Sequence, residues 1–405
     1  LSISPVSGDN AMGPGDAQSA TTSIVGEVSN AQDGDKVNVY VHGQTFSGTV
    51  DASGHYSIEV DTAALIADAD LTLSVVVFAT DAAGNTQNVS VDSSYSVDIT
   101  APTVQSLVVS KTSLKAADVA TVTITFSEKV TAFDASDLSA DNGVMSNLAS
   151  ADGGLTWTAT FTANADVEDL SNAIQVGLAY TDLAGNAAVG GPSNISSNYV
   201  IDNKAPTATV QLADEALKAG ETTTLTITFS EKVSNFSNTD VTVANGSLGT
   251  LSSTDGIVWT GTFTPSVNLE EATNSITLAS TYTDVAGNAG QSADSGNYSV
   301  DTKAPTASVT LTDNTNAAIT SLTAGQSAKV TITFSEAVKD FSNADVTAPS
   351  GTLSTLASTD GGTTWTATFT PSANVEVAAN SISVNPGAYS DLASNAGSAA
   401  SSATY

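Results

Sequence analysis

The side chains whose types and spacing suit chemistry are acidic. Asp98, Asp202 and Asp301 recur about every hundred residues, inside the stretches YSVDITAP, YVIDNKAP and YSVDTKAP. Each is followed by a run ending in Thr-Phe-Ser-Glu, at Glu128, Glu231 and Glu336. Each set then has an acidic turn, TDLAGN, TDVAGN or SDLASN, at Asp182, Asp284 and Asp391. Carboxylates are hard oxygen donors, and Ca2+ takes six to eight of these from side chains, carbonyls and water. Cys is absent and there are two His, His42 and His55, so Zn2+ and softer metals lack their preferred ligands. The same shortage argues against catalysis, because no acid–base pair stands outside the repeated acids.

Three acids far apart in sequence need a fold to bring them together. In an immunoglobulin-like sandwich the B–C and F–G loops lie at the end where the chain arrives. Thr-Phe-Ser-Glu reads as the end of strand B and the acidic turn as the F–G connection. The Asp of the preceding linker reaches the same end. This predicts three sets: Asp98, Glu128 and Asp182; Asp202, Glu231 and Asp284; Asp301, Glu336 and Asp391. Without a cation such acids repel one another. The alternative is a plain tight turn, with Gly185 or Gly287 at positive φ and the Asp bonding its own backbone. Ser394 stands where the third turn should have Gly, so that loop is expected to differ. In the first hundred residues Asp9 and Asp81 are candidates for a similar site, but no Thr-Phe-Ser-Glu accompanies them. Asp137, Asp240 and Asp345 either shape the C–D turn or reach the next junction.

The elements around these acids read as strands. TTSIVGEV (21–28), DKVNVYV (35–41), QTFSGTV (44–50), HYSIEV (55–60) and LTLSVVVFAT (71–80) alternate apolar and polar residues, and Gly-containing turns separate them. DTAALI (61–66) reads as one helical turn with Asp61 as N-cap. The later units share VTITFSEKV-type strands, an Asp-Gly turn and a strand holding the three Trp. Trp157 with Phe161, Trp259 with Phe263 and Trp365 with Phe369 are expected in the cores. VEDLSNAI, LEEATNSI and VEVAANSI are expected to form short, partly helical crossovers. The reading is an all-β chain of four tandem immunoglobulin-like β-sandwich domains: 1–98 (divergent), 99–202, 203–301 and 302–405.

Composition narrows the function. Against 42 Asp and Glu stand ten basic residues, all Lys, for a formal net charge of −32. That argues against nucleic acid and against anionic membrane surfaces. No stretch is apolar for long enough to span a bilayer. LSISPVSGDN has neither the basic nor the apolar region of a signal peptide, and SSATY stops where Tyr298 stands one repeat earlier. The expectation is a segment of a longer array.

The TDxAGN turns combined with the VDxxAP junctions resemble the tandem bacterial Ig-like repeats of giant surface adhesins, including biofilm-associated and RTX-type adhesins exported by type I secretion. The resemblance covers the whole chain. It implies an extender region with Ca2+ at domain junctions, located outside the cell on the bacterial surface and anchored through other parts of the parent. Its partners would be neighbouring repeats of the same chain, in an extended, Ca2+-rigidified and monomeric rod. The competing reading is a glycan- or protein-binding module, centred on the divergent first domain.

Overall fold

The computed structural model describes residues 1–405, and the chain divides into two compact units, Leu1–Lys204 and Ala205–Tyr405. Each unit contains two separate hydrophobic cores.

The first core of unit Leu1–Lys204 lies between two sheets. One has the order Gln44–Thr49, Lys36–Val41, Thr72–Thr80, Thr86–Ser94; the other pairs Thr21–Glu27 with His55–Asp61. Val37 lies opposite Val77 and Val39 opposite Val75, and all four are buried. This is what period-two alternation produces when one face meets a core. Thr86–Ser94 is a full strand, mostly exposed but with Val91 packed against the first core. The helix Thr62–Ala67 is present, but Asp61 makes no side-chain capping bond to it.

The second core of this unit follows a different plan, which unit Ala205–Tyr405 uses twice. A central strand, Val119–Phe126, pairs antiparallel with Thr156–Ala163 and with Val104–Val109. The counterparts are Thr223–Phe229 and Ala328–Phe334. Phe126 packs within 5.1 Å of Phe133 and 4.9 Å of Tyr180, measured between ring centroids. Phe161 is buried against Tyr199, while Trp157 is half-buried in a T-shaped contact with Phe133. The Trp are therefore core side chains that also cap the core's edge, and the Trp157 Nε1–H donates to the Gly154 carbonyl.

The expected helical crossovers are absent. Glu168–Asn172 and Glu270–Asn274 are strands, paired antiparallel with the closing strands Tyr199–Asp202 and Tyr298–Asp301. Helix-forming Glu and Ala there yield to the pairing, as local propensity does when a tertiary partner is available. Asp137, Asp240 and Asp345 take the turn-forming role. Each ends a 3-10 turn and accepts the backbone N–H three residues earlier, at 3.0, 2.8 and 2.7 Å.

Candidate metal centres at the incoming ends of the repeats

Strand alternation places Phe126 in the core, and two residues further on Glu128 leaves the sheet at its end. The chain then returns as Val130–Thr131, paired with Thr181–Asp182 so that Val130 is opposite Asp182. This short ladder fixes Glu128 beside the acidic turn. The same ladder sets Val233 opposite Asp284 and Val338 opposite Asp391.

Asp182 is fully buried, and its turn holds it rigidly. Its Oδ1 accepts the Asn186 N–H at 2.8 Å and its Oδ2 accepts the Asn186 side-chain amide at 2.7 Å. Asp391 is held identically by Asn395, at 2.8 Å for both bonds. Asp284 is held by Asn288 at 2.8 and 2.7 Å. Gly185 and Gly287 take φ of 90° and 93°, and Ser394 takes the same left-handed conformation at φ 76°. The third turn therefore keeps its shape despite the missing Gly, and the Lys339 ammonium donates to Ser394 Oγ and to the Leu392 carbonyl. The tight-turn reading is thus correct as far as it goes. It uses only part of each carboxylate, which has about four lone-pair sites.

The remaining capacity faces a common point. Carboxylate oxygens of Asp98, Glu128 and Asp182 lie within 4.8 Å of one another, and so do those of Asp301, Glu336 and Asp391. Glu231 and Asp284 lie equally close, and Asp202 stands in the strand Tyr199–Asp202 opposite Glu168. Asp9 and Asp81 join no such group. Asp81 is exposed and its oxygens serve Ala83 and Asn85 of its own loop, while Asp9 accepts from the Ala11 N–H.

The two complete groups fit a hard cation. The donors are all oxygen. Burial, followed by the neighbouring Asp98 and Asp182, pushes the Glu128 carboxyl above its usual range. Burial and then Asp391 do the same to Asp301, and burial and then Asp391, Glu270 and Asp301 to Glu336. Glu336 Oε1 is enclosed and has no hydrogen-bond partner. An enclosed carboxylate oxygen with no donor beside other carboxylates is the arrangement that a divalent ion satisfies.

Residues 98–201, 202–300 and 301–405 each match the model of a bacterial Ig-like domain. The chain belongs to the bacterial Ig-like domain family. No curated protein matches it significantly. Among solved structures it is similar to a bacterial immunoglobulin-like domain from the M. primoryensis ice-binding adhesin, at 31% identity over 24% of this chain and 93% of that one, with a TM-score of 0.22. It is also similar to a Ca2+-stabilized adhesin with which an Antarctic bacterium binds ice, at 20% identity over 99% and 97% of the two chains, TM-score 0.46. A third is a tetra-tandem repeat from the extending region of a large adhesion protein, at 17% identity over 94% of each chain, TM-score 0.28.

The bacterial Ig-like repeats also use residues that the acid spacing alone did not single out. The Asn186 amide donates to the Asp98 carbonyl at 3.0 Å, tying the incoming linker to the turn. Asn395 does this for Asp301 at 2.8 Å, and its Oδ1 accepts the Ala219 N–H at 2.8 Å. The Asn ending each TDxAGN-type turn is therefore a positioning residue, and its invariable place in the repeated motif was the available signal. Glu270, directly opposite Asp301 in the ladder, adds a fourth carboxylate near the last group, partly offset by Lys303 at 3.5 Å. His55 is exposed and lies 3.2 Å from Glu27, with no part in any acid group.

Proposed function

We propose that the chain is a structural extender of a bacterial cell-surface adhesin, made of Ig-like domains 1–98, 99–202, 203–301 and 302–405 and stiffened by Ca2+ at the junctions. The observation that carries this reading is the gathering of a linker Asp, a strand-end Glu and a turn Asp within 4.8 Å, at Asp98/Glu128/Asp182 and again at Asp301/Glu336/Asp391. One ligand of each group belongs to the segment leading into the repeat and two to the repeat itself. A bound ion would therefore remove hinge freedom rather than assist a reaction. The proposal extends to 202, 231 and 284 on the sequence repeat.

A site copied from repeat to repeat supports an architectural role over an enzymatic one. Its donor set suits extracellular calcium, with dissociation constants on the order of 10⁻⁴ M or tighter. Export by type I secretion as part of an RTX or biofilm-associated adhesin follows from the resemblance of the repeats. In low cytosolic calcium the hinges would be loose, and outside the cell they would stiffen. Neighbouring repeats are then the direct partners, and the adhesive target is bound elsewhere in the parent.

The test is small-angle X-ray scattering of the purified chain in millimolar Ca2+ and in EGTA, with Glu128→Gln and Glu336→Gln alongside. The expected result is a maximum dimension that falls and a flexibility that rises in EGTA. The double variant should move in calcium part of the way toward the parent in chelator, because the junction at 202, 231 and 284 is left intact. Identical profiles under all conditions would overturn the reading.

A further inference from the structure

The third repeat carries a reactive step that its own fold exposes. The sequence holds two Asn-Gly steps, Asn142-Gly143 and Asn245-Gly246. Each sits where a turn enters the edge strand of a sheet, Gly143–Ser150 or Gly246–Leu248. The geometry is imposed from two sides. Asn142 and Asn245 take φ of 53°, a conformation that Asn tolerates better than most residues with a side chain. Gly143 and Gly246 lie against the rings of Phe161 and Phe263, where no Cβ fits. The fourth repeat keeps this geometry with Ser350 at φ 61° before Gly351, so the turn does not need Asn.

At an Asn-Gly step the following backbone nitrogen reaches the side-chain amide most readily, because Gly has no Cβ to obstruct the attack. The Ser266 N–H donates to the Asn245 carbonyl at 2.9 Å. Gly246 and Pro265 are therefore a pair without mutual bonds, and the Gly246 nitrogen is turned off the ladder. The two Asn differ in how their amides are held. Asn142 is half-buried, and its Nδ2 donates to the Asp169 carboxylate at 2.9 Å and to Asn172 Oδ1 at 2.8 Å. Asn245 is exposed, and its Nδ2 donates to the neutral Asn274 Oδ1.

We propose that Asn245 is a self-modification site, converting to aspartate and isoaspartate, and that the product loosens the closing strand of its repeat. The Gly246 nitrogen gives up its proton and attacks Asn245 Cγ. Nδ2 leaves as ammonia, and the resulting cyclic imide takes up one water, which opens it at either carbonyl. The new carboxylate then faces Asn274 Oδ1. Asn274 cannot turn its amide to meet it. It is buried, and its Nδ2 already donates to the Glu271 and Tyr298 carbonyls at 3.1 and 3.0 Å. Two acceptors are left facing each other. The Tyr298 hydroxyl also donates to the carbonyl of Ala244, next to the modified residue. Asn274 and Ala244 thus both bond Tyr298, which begins the closing strand Tyr298–Asp301.

The test incubates the full chain in warm, mildly alkaline oxygen-18 water and maps its peptides by mass spectrometry. Heavy oxygen should enter at Asn245 roughly tenfold faster than at Asn142, where a charge-assisted bond must also break. In concentrated urea the two rates should converge. Equal rates in the folded chain, faster labelling at Asn142, or no label at Asn245 overturns the site. A difference that persists in urea overturns it too, because local sequence and not the fold would then set the rates. The consequence is read by comparing Asn245→Asp with Asn245→Ser in urea titrations. The aspartate variant should unfold at lower urea, and equal midpoints overturn the loosening.

Discussion

Glu128 shows at the scale of one side chain why the acid groups point to an ion. Its raised pKa means that the folded state binds its proton more tightly than the unfolded state does. In chelator the stability it contributes is present below the ordinary Glu value, about 4.3, and is lost as pH rises through the folded value. Glu128→Gln removes this penalty. The variant should melt above the parent in EGTA at pH 7, the difference should vanish near pH 4, and calcium should reverse the order at pH 7. Thermal melts at the two pH values check all three outcomes. Ser394 offers a separate test. A non-glycine residue at φ 76° costs roughly 1–2 kcal/mol. Part of that gain is given back as unfolded-state entropy, so Ser394→Gly should stabilise the last repeat by about 0.5–1 kcal/mol in denaturant titrations.

Elements determine whether those residues meet. Gly143, Gly246 and Gly351 begin equivalent strands, and at each an added Cβ would lie 2.3–2.4 Å from the ring of Phe161, Phe263 or Phe369. These rings are buried, so they have little room to move. Gly246→Ala should cost about 2 kcal/mol or more by overpacking, measured as a lower urea midpoint with unchanged slope. The Asn turns are the other decisive element. Asn395→Ala removes bonds to Asp301, Asp391 and the Ala219 N–H together. Its calcium affinity should fall by roughly tenfold or more, since outer residues that orient ligands carry effects of that size. Isothermal titration distinguishes this from a loss of one site only, because the stoichiometry would stay the same.

For the molecule as a whole, the net charge of −32 sets the energetic background. Self-repulsion opposes compact packing, and bound divalent ions relieve it where acids are densest. Calcium at one hundred times its dissociation constant should stabilise by about 2.7 kcal/mol per site. The melting temperature should therefore climb with free calcium, and magnesium, smaller and more demanding of octahedral geometry, should be a weaker substitute. A calcium-independent melt would remove the ion from the account.

The sequence by itself determined the repeat, the sandwich class and the acids of each set. Alternation marks strands such as Val119–Phe126 because one face must be apolar, and that requirement is local. The repeated YSVD…AP junctions made the arrival of Asp98 beside Glu128 and Asp182 legible as well, through the strand order of the fold. Only the tertiary structure decided the rest. Thr86–Ser94 is a strand although most of its side chains are exposed, because its partner Thr72–Thr80 supplies the hydrogen bonds. Glu168–Asn172 and Glu270–Asn274 are strands and not helices for the same reason. Asp9 and Asp81 have the right chemistry but belong to no group of three acids, and no spacing rule reports that. Asn186 and Asn395 became visible as ties only once Asp98 and Asp301 lay within reach of their amides. A pattern along the chain records which face is buried; which groups pair across a hundred residues is decided by distance in the folded chain.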